Sequence, residues 1–368
     1  MGNNSVHMDN MPSSSVLMIG DYAGNDATGG MAAVIQNYRR YIPDLKYIYT
    51  WRPSSSRIYK LLILIFAYIQ VIFRLLFDRN IALVHIHTCS GMSFWRSAGF
   101  LRLSKAFGKK VILHMHGGRF KDFYEESDSK EKMLGLIASA DIFVVLSNPW
   151  RDWFISIGVC EKNIRVLNNM VIPPACVPER NNDGVLALLF LGNVVKAKGI
   201  YDLLEVLADN AQRWKGKVVL KIGGEVAGDM LERTIRENAL DDIVEYCGYA
   251  TGHQKDELMS WCDVLVLPSY YEGLPMSVLE AMSWSRPVIA SRVGGIPSVV
   301  HDGENGILTE PGNKESIASA VDSFLFHPEL VDRYGSRSAE IVRDYLPDSV
   351  MGVLAEIYTS LMQREQER

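Results

Sequence analysis

A strand, a glycine-containing turn and a helix follow one another between Asp263 and Ser291, and this unit restricts the possible fold more than any other stretch. The run DVLVL is short and apolar, which is typical of a strand in a buried parallel sheet, and Pro268 ends it. Pro275 is predicted at the first position of the helix, where its missing N–H costs nothing. The run VIAS at 288–291 is the next predicted strand. Strand, helix and strand make a βαβ unit, in which ligands bind beyond the carboxyl ends of the strands.

Two glutamates mark this unit. Glu272 lies in the predicted turn, and Glu280 lies about one and a half turns into the helix. Carboxylates accept hydrogen bonds from hydroxyl groups, and the free N–H groups at a helix N-terminus bind phosphate. The pattern therefore fits a sugar-nucleotide site. On these two residues alone, a solvated loop acid and an ordinary helix acid are the simpler interpretation.

Strands and helices alternate through the whole chain, which predicts two doubly wound α/β domains facing a cleft. The hydrophobic content of 48% and charged content of 22% are those of a soluble globular protein. A proline-rich stretch followed by Asn-Asn-Asp-Gly predicts a linker that ends the first domain near residue 180. We expect the following division: a disordered tail at 1–14, an N-terminal acceptor-binding domain at 15–180, a nucleotide-sugar-binding domain at 181–345, and a helix at 346–368 that packs on the first domain.

Several other classes of protein are disfavoured. The five cysteines are scattered, so neither a zinc knuckle nor a disulfide framework is indicated, and the N-terminus has no secretory signal. The loop DYAGNDATGG after the first strand is not G-x-G-x-x-G, which disfavours a nicotinamide cofactor. Its glycines fit either a phosphate-binding loop or a tight turn. His85 and His87 share one face of a predicted strand, and His114 and His116 share a face of the next, which suggests a metal, but no acid or cysteine completes a zinc site. His114 is expected to lie deeper, in the core.

The N-terminal half is basic. Between residues 39 and 121 there are 15 Lys and Arg residues and two acids, although the whole chain has a net charge of −5. Such an imbalance predicts an anionic partner. Within it, residues 58–77 form a helix-like run that is apolar around most of its circumference, with Lys60, Ala67, Gln70 and Arg74 on one narrow edge. The run either packs under the N-terminal domain or lies in a membrane interface, and its width together with the basic residues favours the membrane.

The stretch PSYYEGLPMSVLEAM resembles the E-x7-E signature of the family 4 retaining glycosyltransferases, which have the GT-B fold. Glu272 and Glu280 match its two glutamates. The resemblance implies that Glu272 binds hydroxyls of a donor sugar, Glu280 binds the ribose, and Lys198 offsets the charge of the leaving diphosphate. It also implies that His116 lies beside the sugar from the other domain. Glu272, His116 and Lys198 are therefore the expected catalytic residues, with no metal.

The same resemblance implies further contacts to the donor, a UDP- or GDP-linked sugar, and no cofactor. The expected donor-binding residues besides Lys198 and Glu280 are Gly30, Asn193, Gly223, Tyr249, Gly273, Leu274 and Pro275. Asn193 stands where the family usually has an arginine, so part of the phosphate clamp differs here.

The expected activity is retaining, metal-independent transfer of a hexose to a lipid-linked glycan acceptor in bacterial cell-surface polysaccharide assembly, such as O-antigen or capsule. The expected location is cytoplasmic and peripheral at the inner face of the membrane, with no nucleic-acid partner. The alternative is a nucleotide-sugar-binding protein of the same fold whose catalysis is impaired by the Asn193 departure.

Overall fold

The computed structural model describes residues 12–24, 27, 29–42, 44–179 and 184–366. The chain divides into two compact units. We call the unit made of Met1–Met170 and Tyr345–Arg368 the N-terminal domain and Val171–Asp344 the C-terminal domain. The tail predicted at 1–14 lies outside the described residues up to position 11, and Ser13–Ser15 forms a short 3-10 turn. Of the predicted linker, residues 180–183 also lie outside them.

The N-terminal domain is built on a six-stranded parallel sheet of order β2-β1-β3-β4-β5-β6. Its strands are β1 (Val16–Asp21), β2 (Lys46–Trp51), β3 (Leu83–Thr88), β4 (Lys110–Met115), β5 (Ile142–Val145) and β6 (Ile164–Val166). Its helices before residue 170 are α1 (Gly30–Tyr41), α2 (Arg57–Phe77), α3 (Met92–Ala106), α4 (Phe120–Glu125), α5 (Lys130–Ser139) and α6 (Asn148–Ser156). β3 and β5 are buried along their whole length, because a parallel sheet is covered by helices on both faces.

The C-terminal domain contains a second six-stranded parallel sheet, of order β12-β11-β10-β7-β8-β9. Its strands are β7 (Leu186–Leu191), β8 (Val218–Gly223), β9 (Val244–Tyr246), β10 (Val264–Leu267), β11 (Val288–Ser291) and β12 (Gly306–Thr309). Its helices are α7 (Ile200–Asp209), α8 (Ala211–Trp214), α9 (Met230–Glu237), α10 (Gly252–Trp261), α11 (Met276–Ser283), α12 (Lys314–Phe326) and α13 (Glu329–Ile341). Both sheets confirm the prediction of two parallel-sheet α/β domains.

The last helix, α14 (Pro347–Gln366), belongs to the N-terminal domain. The sequence predicted a helix at 346–368. In the structure α13 ends at Ile341, Val342–Tyr345 forms a 3-10 turn, and the last helix begins at Pro347, a residue that is tolerated at a helix start but not in its interior. Tyr358 of α14 is fully buried in the N-terminal domain.

Helix α2 buries only a narrow stripe of its surface. The buried residues are spaced four apart along the helix: Ile63, Ala67, Val71 and Leu75. Ala67 was predicted on the polar edge, and this was wrong. It is fully buried, and next to it the ring of Tyr68 stacks on Phe100 with centroids 4.2 Å apart. The rest of the helix carries a large exposed apolar face, formed by Ile58, Tyr59, Leu61, Leu62, Ile65, Phe66, Ile69, Ile72, Phe73, Leu76 and Phe77.

Candidate functional site

The C-terminal sheet reverses its strand order between two adjacent strands, β7 and β10. From β7 the chain adds β8 and β9 on one side, and from β10 it adds β11 and β12 on the other. In open parallel sheets, the crevice at the carboxyl ends of such a pair of strands is the usual ligand site. The segments that leave these two strands, 192–199 and 268–275, contain Lys198 and Glu272.

Close backbone packing holds these two segments together. The N–H of Tyr270 donates to the carbonyl of Ala197 at 2.9 Å. Gly199 has a φ of +69°, and a Cβ atom there would lie 1.9 Å from the carbonyl oxygen of Pro268. Only glycine fits such a position, because any side chain would both strain the backbone and collide with the facing loop.

Lys198 and Glu272 form an ion pair in this crevice. The Nζ atom of Lys198 donates to Oε1 of Glu272 at 2.6 Å, and Oγ of Ser269 donates to the same oxygen at 2.8 Å. The Glu272 side chain is only 6% exposed, whereas that of Lys198 is 27% exposed. Within the described part of the chain, both bonds engage Oε1, so Oε2 of Glu272 is left for a ligand hydroxyl.

Two further glycines, Gly294 and Gly295, fix the turn after Glu272. Gly294 has a φ of +54°, and a Cβ atom there would lie 1.8 Å from the Glu272 carbonyl oxygen. The N–H of Gly295 donates to the Gly273 carbonyl at 2.6 Å. Pro275 has an extended ψ of 131°, so it caps helix α11 and Met276 is the first helical residue. The prediction that Pro275 is the first helical residue was therefore wrong by one position.

The second glutamate also has a lysine partner, which the sequence did not reveal. Nζ of Lys255, on α10, donates to Oε1 of Glu280 at 2.5 Å, and the Glu280 side chain is 16% exposed. Burial lowers the pKa of Lys255, but the charge and hydrogen bond of Glu280 outweigh it and raise the pKa overall. Tyr249 lies in the same neighbourhood with 40% of its surface exposed, and burial raises the pKa of its hydroxyl.

The other predicted donor contacts differ in their surroundings. Leu274 is buried, and Asn193 is exposed. Gly223 is buried against Leu258, which would lie 3.3 Å from a Cβ atom there. Its neighbour Gly224 would place a Cβ atom 1.8 Å from the Gly192 carbonyl oxygen. Contact between two loops of the protein is therefore sufficient to account for glycine at position 224.

In the N-terminal domain, His116 belongs to a set of four stacked imidazoles that we call the histidine stack, formed by His85, His87, His114 and His116. His85 and His87 are two residues apart on β3, so their side chains lie on the same face of the sheet. On the neighbouring strand β4, His114 is the register partner of His87. His85, His87 and His114 are fully or almost fully buried, and His116 is half-buried. Sequence reasoning had placed His114 in the core, and the structure confirms this.

Ring nitrogens of the stack bond to one another. Nδ1 of His87 lies 2.8 Å from Nε2 of His116, and Nε2 of His85 lies 3.2 Å from Nδ1 of His114. Nδ1 of His85 lies 2.8 Å from the Tyr358 hydroxyl. Burial lowers the pKa of all four imidazoles, to about 3 for His85 and His116. The stack is therefore uncharged near neutral pH.

His85, His87 and His114 also place one nitrogen each within 4.8 Å of one another, a spacing that suggests a metal site. A metal ion would need these nitrogens as lone-pair donors directed at one point. In the structure Nε2 of His85 bonds to Nδ1 of His114 and Nδ1 of His87 bonds to Nε2 of His116, whereas Nε2 of His87 and Nε2 of His114 have no partner among the described residues. The sequence showed only two separate pairs of histidines on two strands, because the sheet register is what brings the three residues together.

The N-terminal glycine loop is described only in part, since residues 25, 26 and 28 lie outside the described residues. Gly30 begins α1, and a Cβ atom there would meet no atom of the described residues within 4 Å. Nearby, at the end of β1, Arg96 donates to Asp21 at 2.8 Å. Burial raises the pKa of Asp21, although the charge of Arg96 opposes this.

Two sequence profiles match the chain. "Glycosyltransferase Family 4" matches residues 33–173, and "Glycosyl transferases group 1" matches residues 177–340. The alpha-D-kanosaminyltransferase of Streptomyces kanamyceticus is 29% identical over 175 residues, which are 47% of this chain and 45% of that enzyme. The chain spans about half the length of the curated relatives it matches.

Solved structures share the fold over nearly the whole chain. Sucrose-phosphate synthase from Thermosynechococcus elongatus superimposes with a TM-score of 0.75 at 18% identity, covering 95% of this chain and 100% of the other. HepE from Anabaena, solved in complex with UDP-glucose, superimposes with a TM-score of 0.74 at 15% identity, covering 94% and 99%. The two parallel-sheet domains and these neighbours define the GT-B fold. The two profiles place it further: the chain belongs to the family 4 glycosyltransferases.

Proposed function

We propose that this protein transfers a hexose from a nucleoside-diphosphate sugar to a glycan acceptor, with retention of anomeric configuration and without a metal ion. The observation that carries the proposal is the Lys198–Glu272 pair at the switch point of the C-terminal sheet. It joins a buried carboxylate, suited to sugar hydroxyls, to a half-buried ammonium group, suited to phosphate.

The donor is bound by groups that match its parts. Oε2 of Glu272 accepts from sugar hydroxyls, while the free N–H groups at the start of α11 and the positive end of its dipole face the diphosphate. Glu280 accepts from the ribose hydroxyls and is held in place by Lys255. The base is uracil or guanine. A UDP-sugar has support from HepE, whose structure contains UDP-glucose.

The leaving group is stabilised by the protein itself. Lys198 and the α11 dipole offset the negative charge that develops on the departing diphosphate. Cations and helix N-termini stabilise developing negative charge in the same way in phosphoryl transfer. The sequence has no D-x-D at a strand end to hold a metal. Retention then follows from attack by the acceptor on the face that the diphosphate leaves, within a tight ion pair. His116, in the N-terminal domain, is the third proposed catalytic residue.

Donor binding is tested by a thermal-shift screen of UDP- and GDP-sugars, because a ligand that binds only the native state raises the melting temperature. With the selected donor, Glu272→Gln should lower kcat by about tenfold to a hundredfold, since it removes charge-assisted hydrogen bonds. Glu280→Gln should mainly raise the donor KM, and by a smaller factor. Lys196→Met, which removes an exposed lysine two residues from Lys198, is the matched control for Lys198→Met. Wild-type turnover in Glu272→Gln would refute the site.

The same assays separate a catalytically impaired binding protein from an enzyme. Asn193 is exposed and carries no charge, so the phosphate clamp has one cation fewer than is usual in the family. A binding protein would show the thermal shift but neither slow donor hydrolysis nor transfer to a crude membrane fraction. NMR of the product's anomeric proton decides between retention and inversion.

We further propose that the acceptor is lipid-linked, as in bacterial cell-surface polysaccharide assembly, and that α2 docks the protein on an anionic membrane surface. The helix has 21 residues, and its most apolar window of 18 residues has a mean hydropathy of 2.1 and is only 22% buried, so it is long and apolar enough to cross a membrane. However, its buried stripe packs in the core of the N-terminal domain, which favours a helix lying along the membrane interface. The basic residues between 39 and 121 supply attraction to anionic lipid.

Liposome flotation tests this docking. The double substitution Phe66→Ser and Phe73→Ser, at side chains 61% and 60% exposed, should abolish flotation without lowering the melting temperature. Phe326→Ser, which removes a phenylalanine 57% exposed on α12 of the C-terminal domain, is the matched control and should float like wild type. Binding that is indifferent to lipid charge and to salt would remove the case for an anionic surface.

A further inference from the structure

The histidine stack leaves two buried ring nitrogens without a hydrogen bond. They are Nε2 of His87 and Nε2 of His114, both lacking a partner within the described residues. A neutral imidazole carries one N–H and one lone pair. A buried N–H without an acceptor is rarer in folded proteins than an unused lone pair. The unpartnered Nε2 atoms are therefore lone pairs, and both rings carry their proton on Nδ1.

This assignment fixes the direction of each bond in the stack. His87 Nδ1–H donates to Nε2 of His116 at 2.8 Å. In the same way, His114 Nδ1–H donates to Nε2 of His85. The proton of His85 is therefore on Nδ1, and this N–H donates to the Tyr358 hydroxyl oxygen. His116 is left with its Nε2 lone pair occupied, so its own proton is on Nδ1.

We propose that His87 is a positioning residue that fixes His116 as the Nδ1–H tautomer, so that His116 presents a hydrogen-bond donor, not a base, to a bound ligand. Nε2 of His116 accepts from His87, so only Nδ1–H is free to bind a ligand. The ligand group that it selects is an acceptor, such as a hydroxyl oxygen. This inference rests on the proposed function only for the identity of the ligand.

The tautomer itself is read without any activity. Long-range 1H–15N correlation spectra of protein labelled with [15N]histidine distinguish a protonated ring nitrogen from one with a lone pair. Wild-type protein should show His116 protonated on Nδ1 and His87 protonated on Nδ1. A wild-type spectrum with His116 protonated on Nε2 would overturn the proposal, whether or not any variant folds. Stoichiometric bound zinc, measured after purification without a metal column, would overturn it too, because the metal would take the lone pairs.

Two substitutions separate donation from packing. In His87→Asn, the side-chain amide N–H lies close to the place of the imidazole Nδ1–H, so it can still donate to His116. In His87→Phe, the ring volume is kept and the donor is lost. We expect kcat of the Phe variant to fall about tenfold with little change in donor KM, and the Asn variant to recover most of this loss. If His87 only fills space, the Phe variant should be the more active one, which would refute the positioning role.

Failure of this inference and failure of the proposed function give different results. If no sugar nucleotide shifts the melting temperature, the transferase assignment fails while the spectra still decide the His116 tautomer. If the spectra contradict the tautomer, donor binding at Lys198 and Glu272 is unaffected, because those residues belong to the C-terminal domain.

Discussion

Acidification should destabilise the N-terminal domain through the histidine stack. In the folded protein, burial keeps the pKa of His85, His87 and His114 far below the value of about 6.5 that histidine has in an unfolded chain. Below pH 6.5 the unfolded state therefore binds more protons than the folded state. The stabilisation is complete above the unfolded pKa and is lost as the pH falls through it.

The size of this loss of folding free energy depends little on the pKa values in the folded state, provided that they stay well below the pH of the test. Between about pH 7.5 and pH 5.5, protonation of each unfolded histidine costs about 1.4 kcal/mol of folding free energy. The three fully buried members together cost roughly 4 kcal/mol, a large fraction of the stability of an ordinary domain.

The assay compares variants, since carboxylates and other groups also change with pH. Urea unfolding followed by tryptophan fluorescence is measured at both pH values for wild type and for His114→Phe. The substitution removes one titrating group, so the free energy lost between the two pH values should shrink by about 1.4 kcal/mol, whatever its effect at either pH alone. His253→Gln, which removes a histidine 88% exposed in the C-terminal domain, is the control. Equal losses in wild type and His114→Phe would refute the neutral stack.

Three further substitutions follow from the packing. Gly294→Ala should lower the stability of the C-terminal domain by about 2 kcal/mol or more in urea titrations, because φ is +54° and the new Cβ would lie 1.8 Å from the Glu272 carbonyl. Lys255→Met leaves Glu280 half-buried without its partner, so the donor KM should rise by about tenfold with kcat nearly unchanged. Val71→Ala, at a fully buried site of α2, should cost about 1 to 2 kcal/mol while leaving liposome flotation intact, the reverse of the pattern expected at Phe66.

The strands were predictable because they are buried apolar runs bounded by glycine and proline. DVLVL and VIAS both became strands, β10 and β11, with the predicted helix between them. The alternation of strand and helix therefore gave the two parallel sheets. The order of the strands in each sheet, and hence the switch point between β7 and β10, depends on pairings between distant parts of the chain and could not be predicted from local pattern.

The lysine partners of the two glutamates could not be predicted from the sequence for the same reason. Lys198 and Glu272 are 74 residues apart, and Lys255 and Glu280 are 25 apart. The family resemblance identified Lys198 as a phosphate-binding residue but not as a partner of Glu272. Lys255 carries no local signal, since a lysine on a polar helix such as α10 is ordinarily solvated. Likewise, the alternating histidines of β3 predicted a shared face, but the register of β3 and β4 was needed to show their hydrogen bonds.

The pairing of Lys198 with Glu272 gives the lysine two roles that must coexist when a donor binds. An ammonium group has three N–H donors, and Glu272 occupies one of them. Because Lys198 is the more exposed partner, a phosphate oxygen can take a second N–H without displacing the carboxylate. The lysine then keeps the nearly buried Glu272 charge compensated while it contacts the diphosphate. Loss of Lys198 would remove both contacts at once, so its effect and that of Glu272→Gln should not be additive, and a double-mutant cycle should show a large coupling energy between the two sites.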